Sequence, residues 1–150
     1  MGQEGPFDGA KVALFIGDAL AVILRDDTPG LPWRGCWDLP GGGREGTESA
    51  WDCAARECRE ELGLRVPRDA VVWSRAYRDR GRLRWFFVAR QPGEAAAQVR
   101  LGDEGQCWRL MPLEDYLSHP NAITPHQARL RDYVLECQVF DLEKKGPPLP

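Results

Sequence analysis

Three consecutive glycines, Gly41 to Gly43, constrain this chain more than any other feature, because they lead straight into a helix dense in glutamate. The stretch reads LPGGGREGTESAWDCAARECREELGL from Leu39 to Leu64. Ser49, followed three residues on by Asp52, is a capping-box-like start, and Gly63 supplies the left-handed stop, so the helix is expected from about Ala50 to Leu62. Within it Glu57, Glu60 and Glu61 stand at i, i+3 and i+4, which gathers three carboxylates on one face with Cβ atoms about 5–6 Å apart. Like charges at that spacing repel, and they also oppose the negative end of the helix dipole. A cation is therefore expected there. Arg56 can pair with Glu60 at i+4 but brings one charge, whereas oxygen donors at this density suit Mg²⁺, Mn²⁺ or Ca²⁺. The alternative is a solvated acidic face. Pro40 to Gly43 reads as a loop whose missing Cβ atoms let backbone amides and carbonyls approach a ligand or metal.

The 150 residues suffice for one domain with a substantial core. Met1–Gly9 and the tail from Gly146 to Pro150 are expected to be disordered. A formal net charge of −3 argues against a nucleic-acid polymer as partner. No apolar run nears membrane-spanning length and no signal-peptide pattern is present, so no membrane partner and a cytoplasmic location are expected. The five cysteines are odd in number and lack a C-x-x-C pair, which supports neither a disulfide framework nor a zinc site.

Apolar, β-prone runs over Lys11–Ile16 and Ala19–Arg25, joined at Gly17-Asp18, predict a hairpin. Asp26 to Gly35 is a loop that delivers Trp37 and Leu39 to the glycine run. Arg25, ending the second strand beside it, could clamp a phosphate or merely serve solubility. Ala70–Tyr77 and Leu83–Arg90 predict a second hairpin turning at Arg78 to Gly81. Its aromatics Tyr77, Trp85 and Phe87 could stack on a base, although alternating strand aromatics ordinarily belong to the core. Gln91 to Gly102 reads as a loop, and Asp103–Leu110 as an acidic pair before a short strand. Pro112–Leu117 is a helical turn and His119–Thr124 a loop. Thr124-Pro125-His126-Gln127 then reads as a capping box opening a helix to about Leu142, with Leu130, Val134, Cys137 and Val139 or Phe140 buried. His126 is expected as a cap or at the surface.

Spacing is what separates the acidic helix from an ordinary one. Gly42, five residues, Glu48, seven residues, then Arg56-Glu57-Cys58-Arg59-Glu60-Glu61-Leu62-Gly63-Leu64 resembles the Nudix box, the signature of the Nudix hydrolases, at every glycine and polar position that the signature holds constant. Cys58 departs from it, standing where the family prefers a bulky aliphatic.

The resemblance implies an α/β/α sandwich with a mixed β-sheet between helices, and Mg²⁺-dependent hydrolysis of a phosphoric anhydride with Mn²⁺ as a substitute. By resemblance the Gly41 carbonyl, Glu57, Glu60 and Glu61 bind metal, Glu57 is the general base, and Arg56 with Glu48 holds the loop against the helix. Glu104, in a Glu-Gly-Gln segment similar to one in MutT-like members, completes the metal set and competes for the base role, with Asp103 as its fallback. Arg25, Leu39, Gly42, Trp85 and Asn121 are the candidate substrate contacts, Asn121 by a looser likeness to a base-reading asparagine.

The substrate expected is a nucleoside triphosphate cut to monophosphate and pyrophosphate, 8-oxo-dGTP leading. ADP-ribose, a nucleotide sugar and a dinucleoside polyphosphate are the alternatives, as is a non-catalytic nucleotide-binding module. A monomer or homodimer is expected.

Overall fold

The computed structural model describes residues 5–145, with side chains to residue 139. β1 (Gly9–Ile16) and β2 (Ala19–Leu24) form the first hairpin, followed by the short strands β3 (Trp37–Asp38) and β4 (Gly41–Gly43). Next come α1 (Ala50–Leu62), β5 (Val71–Asp79), β6 (Arg82–Gln91), β7 (Cys107–Pro112), α2 (Leu113–Ser118) and α3 (Thr124–Lys145). The strands make one mixed sheet ordered β3-β2-β1-β6-β5, with β4 added to β1 and β7 to β2. β1 and β6 run parallel and pair Gly9 with Arg84 through Ile16 with Gln91.

Successive side chains of a strand point to opposite faces, so a central strand buried on both sides is apolar throughout. On β1, Ala10, Val12, Leu14 and Ile16 meet Trp51, Cys53, Ala54, Cys58 and Leu62 of α1. Ala13 and Phe15 face the other way, toward Tyr116 of α2 and Leu130 and Tyr133 of α3. The α/β/α sandwich is thus two cores divided by one sheet. Cys58 is fully buried and packs as the small hydrophobe its position requires.

Both ends of α1 fall where the sequence puts them. Ser49 Oγ accepts from the Asp52 amide at 3.1 Å, and Gly63 adopts φ 66°, its amide returning to the Arg59 carbonyl.

Several expectations need correction. The glycine run is a strand rather than a loop, antiparallel to β1 with Gly41 opposite Lys11. Gly41 sits at φ 141°, and a Cβ there would collide with Ala10 O and the Lys11 backbone, so close strand approach requires the bare backbone. Residues 7 to 9 are not a frayed tail: Phe7 is buried, the Asp8 amide donates to Leu83 O at 2.7 Å, and Gly9 begins β1. Residues 1–4 and 146–150 lie outside the described residues. The second hairpin turns at Arg80-Gly81 alone, and the 91–102 connection contains a 3₁₀ segment, Gly93–Gln98.

The C-terminal helix begins at Thr124 itself. Gln127 does not cap it, because its Nε2 donates to the carbonyls of Tyr116 (2.9 Å) and His119 (3.1 Å), tying α3 to the end of α2. Leu130 is buried and Val134 half-buried, but Cys137 and Val139 are exposed. Phe140 lies beyond the described side chains.

Candidate active site

Two turns of α1 deliver carboxylates to the β4 strand. The Gly41 amide donates to Glu61 Oε1 at 3.1 Å. A Cβ on Gly42 would lie 2.6 Å from Glu57 Oε1, so the glycine leaves the space that the Glu57 carboxylate occupies beside the strand. Glu57 and Glu61 share a hydrogen bond, and burial, opposed by Lys11, pushes the Glu61 carboxyl up to about 8. Two carboxylates in contact require either a shared proton or a cation.

Arg56 organises the neighbouring side chains. Its Nε and Nη2 grip both oxygens of Glu48 at 3.1 and 2.9 Å, Nη2 also reaches Gly43 O at 2.9 Å, and Nη1 pairs with Glu57 (3.1 Å) and Glu60 (3.2 Å). The Glu48 hydrogen bonds raise the arginine above its ordinary range, and Arg56 in turn lowers Glu48. The expected clamp of loop against helix is therefore present.

Glu60 turns to Arg56 with 54% of its side-chain surface exposed. Among the described residues no three Asp, Glu, His or Cys side chains are gathered into a metal-holding set. The donors nevertheless fit a hard divalent cation: the set is carboxylate and carbonyl oxygen, and the Glu57–Glu61 contact is one that a cation would relieve. The Gly41 carbonyl accepts from Lys11 Nζ at 3.0 Å, which leaves its second lone pair available.

Glu104 is brought to the same place from far along the chain. It lines a cavity of about 250 Å³ together with Glu61, Arg25, Asp26 and Asp38. The adjoining Gly105 amide donates to Asp26 Oδ2 at 3.3 Å and the Gln106 side chain to Arg25 O at 2.8 Å, fastening this loop to the end of β2. Asp103 is exposed and does not line that cavity.

The candidate substrate contacts divide. Arg25 borders two cavities and donates to Pro32 O (2.9 Å) and Asp38 Oδ2 (3.1 Å). Leu39 is fully buried and offers its carbonyl, which already accepts from Lys11 Nζ at 3.1 Å. Trp85 faces the α1 core, stacked on Phe87 at 6.0 Å between centroids, away from the cavities. Asn121 is exposed and lines none of the cavities described, its carbonyl accepting from the Trp37 amide at 2.7 Å.

A buried network around Asp38 was not anticipated. Asp38 is 5% exposed and accepts from Lys11 Nζ (3.1 Å), Arg25 Nη1 (3.1 Å), the Leu39 amide (2.8 Å) and His126 Nε2 (2.9 Å). Burial would raise its pKa, but Lys11 and His126 together hold it well below the usual carboxylate range. Burial lowers His126 despite Asp38, so the ring is neutral, with its proton on Nε2 facing the carboxylate. Its Nδ1 has no hydrogen-bond partner among the described residues. His126 is thus neither a cap nor exposed, as the sequence had suggested. One signal was legible: Lys11 interrupts an otherwise apolar strand.

A β-sheet flanked by α1 and α3, with a glycine strand against a carboxylate helix, defines a class of phosphoanhydride hydrolase, and comparison with known proteins agrees. The NUDIX domain profile matches residues 9–134, and the chain belongs to the Nudix family of hydrolases. Members generally use a divalent metal and act on small nucleotide substrates. No curated protein matches the chain in sequence at a significant level.

Among solved structures, a MutT protein from Methanosarcina mazei superposes with TM-score 0.69 at 20% identity, over 89% of this chain and 96% of that one. A C. elegans Ap4A hydrolase gives TM-score 0.67 at 16% identity, over 87% and 98%. A bifunctional NMN adenylyltransferase/ADP ribose pyrophosphatase from Francisella tularensis, complexed with AMP and a Mn ion, gives 0.72 at 16%, over 88% of this chain and 42% of that one. At these identities the likeness is one of fold. Among the described residues no helix is long and apolar enough to cross a membrane.

Proposed function

We propose that this chain hydrolyses a nucleoside triphosphate to the monophosphate and pyrophosphate with Mg²⁺, as MutT-like enzymes do. The observation that carries this is the Glu57–Glu61 carboxylate contact against Gly41-Gly42, with Glu104 sharing the Glu61 cavity. Glu57, Glu60, Glu61, Glu104 and the Gly41 carbonyl would hold Mg²⁺, or Mn²⁺ in its place. When bound, the metal supplies positive charge to the diphosphate oxygens and lowers the pKa of water.

Glu57 takes the proton from the attacking water, the water oxygen bonds to one phosphorus of the scissile anhydride, and the bridging oxygen leaves with the other phosphorus. Arg56 holds Glu57 in place and presses Gly43 toward the helix through its bond to that carbonyl. Glu60 must turn from Arg56 to join the set. Such electrostatic positioning is ordinarily the largest part of the rate gain.

A screen of nucleotides with Mg²⁺ tests the substrate: activity on triphosphates, 8-oxo-dGTP foremost, is expected. Turnover confined to ADP-ribose would overturn the triphosphate reading.

Metal uptake carries a pH signature. Glu61 is raised, so the folded apo protein keeps a proton that the unfolded chain releases above the ordinary 4.5. This group therefore costs stability as pH climbs toward about 8, and metal, which needs the ionised form, reverses the loss. Calorimetry in buffers of different ionisation enthalpy is expected to register proton release on Mg²⁺ binding, with affinity rising to about pH 8 and then levelling. Glu61→Gln should abolish the release, and unchanged release would remove Glu61 from the metal set.

A further inference from the structure

The face of the sheet opposite α1 carries a second feature, one of opposite charge. Lys11 and Arg84 project from adjacent strands β1 and β6 toward α3. Together with Arg25, Arg80, Arg82 and Arg129 they line a cavity of about 710 Å³. Its acidic lining is Asp38, committed to the network above, and Asp79. A neighbouring cavity of about 290 Å³ shares Lys11, Arg82, Arg84 and Arg129 and adds Gly42 and Gly43 of β4. On the other side, the Glu61–Glu104 cavity shares Arg25 and Asp38 with it. The carboxylate site therefore adjoins a basic cleft.

That cleft carries more positive than negative charge, with Asp79 and Asp8 the acids along it besides Asp38. The chain has 23 Asp and Glu against 20 Lys and Arg, so acidic partners are not scarce. Yet the side chains of Arg82, Arg84 and Arg129 make no hydrogen bond or ion pair among the described residues. Arg129 is the telling case: it is 7% exposed, its guanidinium lies over the Tyr77 ring, 4.8 Å from the centroid, and it feels Arg84 of like charge as well as Asp79 of opposite charge. A buried guanidinium with no hydrogen-bond acceptor is costly, and its fork is matched in shape and charge by phosphate oxygens. In the parallel register Arg84 stands opposite Gly9, whose bare backbone admits the close approach of the Gly42 carbonyl of β4.

We propose that Arg82, Arg84 and Arg129 form a subsite for the phosphates that lie beyond the scissile anhydride, so that the substrate is a chain of three or more phosphates. This rests on the hydrolase reading of the adjoining carboxylate site. It admits nucleoside triphosphates and dinucleoside polyphosphates and disfavours ADP-ribose and nucleotide sugars, whose two phosphates are both consumed at the scissile linkage.

The test separates the cleft from catalysis. Calorimetric titration of inorganic tripolyphosphate into the protein with EDTA present, where no turnover occurs, is expected to give salt-sensitive binding. Arg84→Gln should weaken it about tenfold and Arg84→Lys less. Arg84 is exposed, so the variant should keep its far-ultraviolet circular dichroism; Arg82→Gln provides a second probe that does not depend on buried Arg129.

With Mg²⁺, Arg84→Gln should raise KM about tenfold for a nucleoside triphosphate or a dinucleoside tetraphosphate, and the substrate affected names the source of the phosphates. KM for ADP-ribose should stay within about twofold. Absent tripolyphosphate binding, equal binding by wild type and Arg84→Gln, or an equal rise in KM for ADP-ribose would each overturn the proposal. Binding that is retained without any hydrolysis would sink the hydrolase reading and leave the subsite standing.

Discussion

Replacing Glu57 by glutamine is expected to lower kcat by about a hundredfold to a thousandfold while leaving the fold intact. Glutamine has the same shape, its carbonyl can still accept from Arg56 Nη1, now 3.1 Å from Glu57 Oε1, and its amide can donate to Glu61. The packing against Gly42 therefore survives. What disappears is one negative charge from the metal-holding set and the only atom pair on that residue able to take a proton from water. Glu60→Gln should likewise abolish turnover. Its side chain is half exposed and, among the described residues, bonded only to Arg56, so its removal disturbs no core. Steady-state rates at saturating Mg²⁺, with thermal unfolding as the control, measure both variants. A Glu57→Gln protein keeping more than about a tenth of wild-type kcat would remove Glu57 from the proton-transfer step.

The largest stability effect is expected away from the carboxylate helix, at Asp38. Breaking a buried charge network by neutralising one partner costs up to about 3–5 kcal/mol, because Lys11, Arg25 and His126 each lose an acceptor that is itself buried. Asp38→Asn keeps the volume but turns N–H groups toward donors, leaving Lys11, Arg25 and the His126 Nε2–H competing for one amide oxygen. Urea unfolding should show the midpoint falling with an unchanged m-value, and Tm dropping by about 10 °C. A loss under about 1 kcal/mol would mean that the network is solvated in solution.

The network also sets a direction with pH. His126 is lowered, so below the ordinary histidine value of 6.5 the unfolded chain gains a proton that the folded one refuses, and stability falls on acidification. Asp38 is lowered as well, so its contribution is complete above the ordinary 3.8 and is lost as pH drops toward its folded value. Asp38→Asn should erase the second, more acidic part of that decline.

The acidic helix was readable because each of its determinants is local. Ser49, Gly63 and the i, i+3, i+4 glutamates act within one or two turns, where 3.6-residue geometry decides which side chains meet. Both hairpins were readable for a similar reason, their strands being joined by Gly17 and Arg80-Gly81 turns of two residues. The placement of Trp85 was not, because one residue of register exchanges the faces of a strand. Trp85 packs under α1, and its neighbour Arg84 lines the cleft.

By itself, then, the sequence determined the Nudix box: a capped helix presenting Glu57, Glu60 and Glu61 beside glycines that admit a close approach, together with the clamp between Arg56 and Glu48. Only the tertiary structure decided that the glycine run would be a strand against β1, that His126 would meet Asp38 across 88 residues, and that β1, β6 and α3 would pool their arginines in one cleft. Those outcomes depend on which strands pair and in what register. Pairing is chosen by burying two apolar faces at once, a property of the whole chain that no short segment contains.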